Sequence, residues 1–360
     1  MGEETKREAI VDMRGRKIAQ VGIVVADAAK TARRYADLFG IGPWMFLDLT
    51  AADVIFHGAP LVDAEGCVRV ALADFNGLEI ELLQPLYGPG THMEFFRKHG
   101  EGIHHVSFGM VDNHDEVVSG LQGDGIGIEM QGTLGGAVVF SYMDTVRELG
   151  TVFEVVKPPP PGVLPALAPW GAYTPLGPAL LKMEGKRIIQ IGLVVDDAER
   201  MAKRYEEIFG IGPWTIFATR PPRVSEGGQA RPAEAPKGIL HGIPMIAMDW
   251  RLKIAMADFG DIQIELIEPV SGPGTHWEFL KTQGQGVHHL SFGSVDDHND
   301  SVAALMKQEI GIEMSGGLGR GAVFTYMSTQ KELGTIFELV HIPPGVEISL
   351  KPRDENQPAA

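Results

Sequence analysis

Two glutamates, one histidine and one glutamine recur in the same order in the two halves of this chain. Gln20, Glu81, His105 and Glu154 in the first half correspond to Gln190, Glu265, His289 and Glu338 in the second. A carboxylate or imidazole set into an apolar strand costs free energy unless a partner neutralises it, so repetition of the whole set points to two metal sites. Two carboxylates, one imidazole nitrogen and one amide oxygen suit Zn, Co, Ni, Mn or Fe(II) and leave coordination positions for substrate oxygens. A divalent ion in such a site can bind a carbonyl oxygen, acidify the neighbouring C–H and stabilise the resulting enolate while a nearby base moves the proton.

The segments around these residues are duplicated as well. IAQVGIVVADAAKTARRYADLFGIGPW matches IIQIGLVVDDAERMAKRYEEIFGIGPW, and GPGTHMEFFRKHGEGIHHVSFG matches GPGTHWEFLKTQGQGVHHLSFG. Residues 18–25 read as a β-branched strand, followed by Asp27 as an N-cap and a helix with Ala28, Ala32, Tyr35, Ala36 and Phe39 on its apolar side, stopped by Gly40. Short strands follow near 54–57, 67–74 and 77–84, giving βαβββ. The pattern restarts with a strand bearing His105, a helix near 113–122 and strands near 126–130, 136–143 and 151–156. Each half is thus two βαβββ modules, with a candidate ligand on the first and last strand of each. Pairing two modules into a cupped mixed sheet gathers the four groups in a half-open barrel, an α+β arrangement.

The expected domains are 17–158 and 187–343, joined by a proline-rich linker over 159–186 and followed by a polar tail over 344–360. The linker's Leu, Trp and Tyr suggest that it packs along a surface. TRPPRVSEGGQARPAEAPKG in the second half reads as an exposed loop, and residues 1–16 as mobile. A hydrophobic content of 44% over 360 residues supports well-buried cores. The net charge of −16 disfavours nucleic acid and anionic membranes, and no apolar run is long enough for a membrane helix. A single cysteine, Cys67, and an N-terminus without a secretion-type apolar stretch make a reducing cytoplasm the expected location.

Several motifs together resemble the vicinal oxygen chelate superfamily, which includes glyoxalase I, methylmalonyl-CoA epimerase, extradiol dioxygenases and the fosfomycin and bleomycin resistance proteins. They are hydrophobic-Gly-hydrophobic-Val-Val-x-Asp before a helix ending Phe-Gly, then Ile-Glu-Leu-hydrophobic-x-Pro, Gly-hydrophobic-His-His and Gly-Thr-hydrophobic-Phe-Glu. IELLQPLYGPGTHMEFFRKHGEGIHHVSFGMVD is most similar to the epimerases. The resemblance implies two tandem domains of that superfamily, with the metal ligands at the eight positions named above. Gln20 and Gln190 stand where epimerases carry histidine, and the resulting Gln-Glu-His-Glu set is similar to that of animal-type zinc glyoxalase I. By that similarity Glu154 and Glu338 act as base as well as ligand. The epimerases' strand-borne glutamate base aligns loosely with Arg69 and Lys253, which are candidates for holding a substrate carboxylate or enolate oxygen, with a solvated surface cation as the alternative. His57 and His241, in a repeated His-Gly-x-Pro, are candidates for a second acid or base, or simply turn residues.

These expectations favour a metal-dependent epimerase or isomerase working at a carbon alpha to a carbonyl. The substrate is a small carbonyl compound, with a CoA thioester as one candidate. Glutathione is disfavoured because Val24 and Val194 stand where the similar glyoxalases carry an arginine. The alternatives are a glyoxalase-like lyase or isomerase on another adduct, a small-molecule-sequestering protein and, less favoured, a ring-cleaving dioxygenase. Self-association into a homo-oligomer is compatible with any of them. His92, His276, Tyr142 and Tyr326 read as structural, and strand alternation turns His104 and His288 away from the site.

Overall fold

The computed structural model describes residues 9–61, 65–219, 238–245, 250–295 and 297–346. Most of the insertion in the second half and the end of the C-terminal tail lie outside the described residues, as do residues 1–8. The first repeat begins with β1 (Gln20–Val24), α1 (Ala28–Phe39), β2 (Trp44–Thr50), β3 (Ala52–Phe56) and β4 (Ala59–Pro60). It continues with β5 (Cys67–Phe75), β6 (Leu78–Tyr87), α2 (Thr91–His99), β7 (Gly102–Met110) and α3 (His114–Gly123). β8 (Ile128–Leu134), β9 (Val138–Met143), the single turn α4 (Val146–Leu149) and β10 (Val152–Lys157) complete it, and β11 (Gly171–Tyr173) lies between the repeats.

The second repeat follows the same order. It contains β12 (Gln190–Val194), α5 (Ala198–Phe209), β13 (Thr215–Ala218), β14 (Gly238–Leu240) and β15 (Ile243–Met245). Next come β16 (Arg251–Phe259), β17 (Ile262–Ser271), α6 (Thr275–Thr282), β18 (Gly286–Ser294) and α7 (His298–Met306). β19 (Ile312–Gly319), β20 (Ala322–Met327), the turn α8 (Gln330–Leu333) and β21 (Ile336–His341) end it.

Each repeat forms its own mixed sheet. The first runs β11-β2-β5-β6-β1-β7-β10-β9-β8-β3-β4 and the second β13-β16-β17-β12-β18-β21-β20-β19-β14-β15. The two modules of a repeat meet where β1 runs antiparallel to β7, and β1–β6 and β7–β10 are the parallel pairs. β2 sits near one end of the first sheet and β3 near the other, yet β2 ends at Thr50 and β3 begins at Ala52. So short a connection spans only a few ångströms, so the sheet must curl until its ends almost meet. The half-open barrel expected from the modules is therefore seamed on one side by the chain itself.

α1 forms where it was expected: the Asp27 side chain accepts a hydrogen bond from Lys30 N at 2.9 Å, and Gly40 closes the helix with φ 71°. α1 and α5 lie between the two sheets and bind the repeats into one core. The Tyr35 hydroxyl donates to Leu333 O at 2.9 Å, and the Tyr205 hydroxyl donates to Leu149 O at 2.7 Å. Phe39 packs on Phe292 and Phe337, while Phe209 packs on Phe108 and Phe153. The exchange extends to the segments before β1 and β12. Val11 N donates to Ile208 O at 2.8 Å at the end of α5, and Leu181 N donates to Leu38 O at 3.0 Å in α1. The residues between the repeats follow the surface of the first sheet, with Trp170 stacked on Phe46 at 5.2 Å between ring centroids.

Candidate active site

The four middle strands of each sheet, β6-β1-β7-β10 and β17-β12-β18-β21, each carry one candidate ligand. Gly22 on β1 lies beside Glu81 on β6 and His105 on β7, and Gly192 lies beside Glu265 and His289 in the same way. The glycine is what lets the imidazole lie across the strand. A Cβ on either Gly22 or Gly192 would fall 2.0 Å from Cε1 of His105 or His289.

His105 Nε2 faces Glu81 Oε2 at 3.4 Å and Glu154 Oε2 at 3.8 Å. The second repeat reproduces this geometry, with His289 Nε2 3.5 Å from Glu265 Oε2 and 3.9 Å from Glu338 Oε2. All six side chains are buried. Among the described residues, Glu81 Oε2, His105 Nε2 and His289 Nε2 are buried polar atoms without a hydrogen-bond partner. Burial, reinforced by neighbouring Glu79, pushes the Glu81 carboxyl up to about 8. Burial likewise lifts Glu154 to about 7, with Glu81 adding to the rise and His105 opposing it, and it raises Glu338. Two buried carboxylates aimed at a bare imidazole nitrogen form an oxygen- and nitrogen-donor set that a divalent cation fits, since it satisfies the unpartnered atoms and restores the carboxylates to their charged form.

Gln20 lies two residues from Gly22 on the same face of β1, and its Nε2 donates to Glu79 Oε1 at 2.7 Å. In the second repeat Gln190 Nε2 donates to Gln263 Oε1 at 2.9 Å. Holding the amide nitrogen in this way leaves the carbonyl oxygen as the group each glutamine can offer a cation.

Glu81 and Glu154 open into a cavity of 80 Å³ in the first repeat, with Tyr142 and His92 beside them and an apolar wall that includes Val70, Leu83, Met130 and Phe140. Four other candidates lie elsewhere. Arg69 alternates with the pocket-lining Val68 and Val70 and turns to the opposite side, where it pairs with Asp48 at 2.8 Å and sits over the Trp170 ring. Lys253 pairs with Glu199 at 3.3 Å and Glu268 at 3.5 Å. His57 and His241 occupy left-handed turns and pair with Glu94 at 2.8 Å and Glu278 at 2.7 Å. His57, Glu94 and Glu278 line a separate cleft of 1070 Å³ between the repeats.

Two histidine pairs carry more than their sequence context suggested. His92 and His276 are buried with Nε2 unpartnered, and desolvation holds both imidazoles below their usual range, His276 at about 3. The only sequence signal for them is recurrence at the same distance before the paired histidines. His104 does face the inter-repeat cleft rather than the ligand cavity, but strand alternation fails at this point. The β1–β7 register steps from Gly22–His105 to Ile23–Ile103, leaving His104 as the extra residue of a bulge. Its Nδ1 therefore approaches His105 Nδ1 at 3.1 Å, and the equivalent pair His288 and His289 stands at 3.2 Å. Ligating atoms of His92, His104 and His105 lie within 4.8 Å of one another, as do those of His276, His288 and His289, and those of His241, Glu278 and Glu313.

A family model described as Glyoxalase/Bleomycin resistance protein/Dioxygenase superfamily matches residues 19–140 and again 189–324. No curated protein sequence matches the chain. Among solved structures, a triple mutant of 4-hydroxymandelate synthase from Streptomyces coelicolor is similar in fold, with a TM-score of 0.55 at 16% identity, over 94% of this chain and 96% of that one. A Mn(II)-bound glyoxalase from Novosphingobium aromaticivorans gives a TM-score of 0.46 at 15% identity, over 91% of this chain and 82% of that one. Streptomyces coelicolor methylmalonyl-CoA epimerase gives 0.30 at 20% identity, over 44% of this chain and 96% of that one. The two matched regions together span most of the chain and fall on its two cupped sheets, so it belongs to the Glyoxalase/Bleomycin resistance protein/Dioxygenase superfamily and carries that family's domain in tandem.

Proposed function

We propose that the protein is a metal-dependent epimerase or isomerase acting at a carbon alpha to a carbonyl, with one reaction centre in each repeat. The observation that carries this reading is the pair of buried carboxylates facing an unpartnered imidazole nitrogen at the end of an apolar cavity. Gln20, Glu81, His105 and Glu154 would hold a divalent ion, Zn, Co, Ni, Mn or Fe(II), and Gln190, Glu265, His289 and Glu338 would hold another. When bound, that ion would polarise a substrate carbonyl and acidify the adjacent C–H.

The chain's own groups supply the rest. Glu154 and Glu338 sit beside the imidazole nitrogen, within reach of a proton on a small substrate, and are the bases of this reading. The apolar wall excludes water that would quench a carbanion-like intermediate. Because His57, His241, Arg69 and Lys253 lie away from the ligand cavity, His92, which lines that cavity, and its counterpart His276 replace them in this reading. A small carbonyl compound fits this reading, and a CoA thioester could keep its nucleotide outside. Buried Val24 and Val194 offer no charge for a glutathione carboxylate.

The experiment is solvent exchange. The metal-loaded protein, incubated in deuterium oxide with a panel of 2-substituted acyl thioesters and 2-oxo or 2-hydroxy carbonyl compounds, is expected to wash deuterium into the alpha position of at least one. A chelator should abolish that exchange. Chemically unchanged, tightly bound ligand without exchange would favour the sequestering alternative, thiol dependence a glyoxalase-like reaction, and oxygen uptake a dioxygenase.

A further inference from the structure

A line of polar groups crosses from the inter-repeat cleft to the candidate ligands, and its polarity can be read from one end. Glu129, which lines the cleft, accepts a hydrogen bond from the Thr91 hydroxyl. An ionised carboxylate only accepts, so the threonine proton is spent there and its oxygen is left to accept in turn. His104 Nε2 lies 2.9 Å from that oxygen and must be its donor. The other nitrogen of a neutral imidazole is then bare, so His104 Nδ1, 3.1 Å from His105 Nδ1, must accept a proton from it. His105 Nε2 is consequently the bare nitrogen, and it is the atom aimed at Glu81 and Glu154. A lone pair facing two carboxylates is the arrangement a cation requires.

The second repeat spells out the same sequence. Thr275 Oγ1 lies 3.4 Å from Glu313 Oε1 and 3.1 Å from His288 Nε2, and His288 Nδ1 lies 3.2 Å from His289 Nδ1. We propose that Glu129–Thr91–His104 and Glu313–Thr275–His288 are positioning chains that set the tautomer of His105 and His289, so that each metal centre is oriented from the cleft shared by the two repeats. This rests on the reading of those histidines as metal ligands. The bulge at His104 and His288 is what makes the chain continuous, because a regular strand would point consecutive side chains to opposite faces.

The test uses the full-length chain labelled with ¹⁵N-histidine and freed of metal. Long-range proton–nitrogen spectra are expected to show His105 and His289 protonated on Nδ1 and bare at Nε2. Thr91→Val, nearly the same shape, should mix the tautomers of His105 and leave His289 unchanged. In Zn(II) titrations against a competing chelator, His104→Ala should weaken one site by about 10- to 100-fold, as partners of ligating histidines do, and Thr91→Val by less. If His104→Ala fails to fold, Thr91→Val carries the affinity test alone. His105 protonated on Nε2, or variants that fold and bind Zn(II) like the wild type at both sites, would overturn the positioning chain. A wild-type chain that takes up no Zn(II) would instead overturn the ligand reading beneath it.

Discussion

The two repeats keep the same Glu-His-Glu geometry to within about a tenth of an ångström, but they differ in the residue behind the glutamine. Gln20 donates to a carboxylate, Glu79, whereas Gln190 donates to the neutral amide of Gln263. Glu79 is also a neighbouring charge that adds to the effect of burial in raising Glu81. Duplication has thus preserved the groups that contact a cation while letting the charge behind them drift. The first repeat carries one more negative charge beside the site, so it should bind a cation more tightly and compete with protons more strongly.

The largest effect that can break this comparison is loss of a ligand. Glu154→Gln and Glu338→Gln should each reduce metal content from about two ions per chain to about one, measured by elemental analysis, with the other site unaffected. Variants with unchanged stoichiometry would show that these carboxylates do not hold the ion. Next come Gly22→Ala and Gly192→Ala, in which the added methyl falls on the imidazole. Each should lower unfolding stability by about 1–3 kcal/mol in denaturant titrations and empty its own site only.

The pH dependence separates the repeats more finely. In the metal-free protein Glu81, at about 8, and Glu154, at about 7, bind protons more tightly than the unfolded chain does. Their burial cost is absent below the unfolded value of 4.5 and grows as pH rises toward 8, so these groups reduce stability progressively across that window. Thermal melts of the chelated protein should show this decline, Glu81→Gln should flatten it, and the stabilisation given by added metal should increase with pH. A pH-independent metal effect would contradict the assignment. The smallest expected change is the exchange of the two backing residues. Glu79→Gln should weaken the first site roughly three- to tenfold and Gln263→Glu should strengthen the second by a similar factor, as for one charge largely screened by water, an interaction of about 1 kcal/mol.

What the sequence revealed followed from periodicity and repetition. α1 with its Asp27 cap and the strands carrying the ligands were legible because their apolar spacing matched the elements they form, whereas the pairing of modules within one repeat, β1 against β7, was not fixed by that spacing. α2 was not anticipated: it is short, enters through Gly90 without a side-chain cap and has only two buried residues, Thr91 and His92. β2 and its one-residue passage into β3 were missed too, since neither edge of a curled sheet announces which other edge it will meet. The misplacement of Arg69 shows the limit of alternation without a register, because Val68 and Val70 face the cavity and their intervening neighbour cannot. His104 shows the opposite limit. A single extra residue in the β1–β7 ladder is invisible in the pattern of apolar residues, yet it joins the histidine pair. His57 meets Glu94 only because a hairpin and a helix far apart in sequence face the same cleft.

The arm that pairs residues 10–13 with the end of α5 has a temporal consequence. Its partners at Glu207, Ile208 and Phe209 are made nearly two hundred residues later. At a synthesis rate of about 5–20 residues per second, the arm waits on the order of ten seconds or more before its docking surface leaves the ribosome. Phe108 and Phe153 wait for Phe209 over shorter intervals, so the first repeat emerges with apolar surface uncovered. The order of translation therefore leaves that apolar face of the first half uncovered until α5 arrives to pack on it.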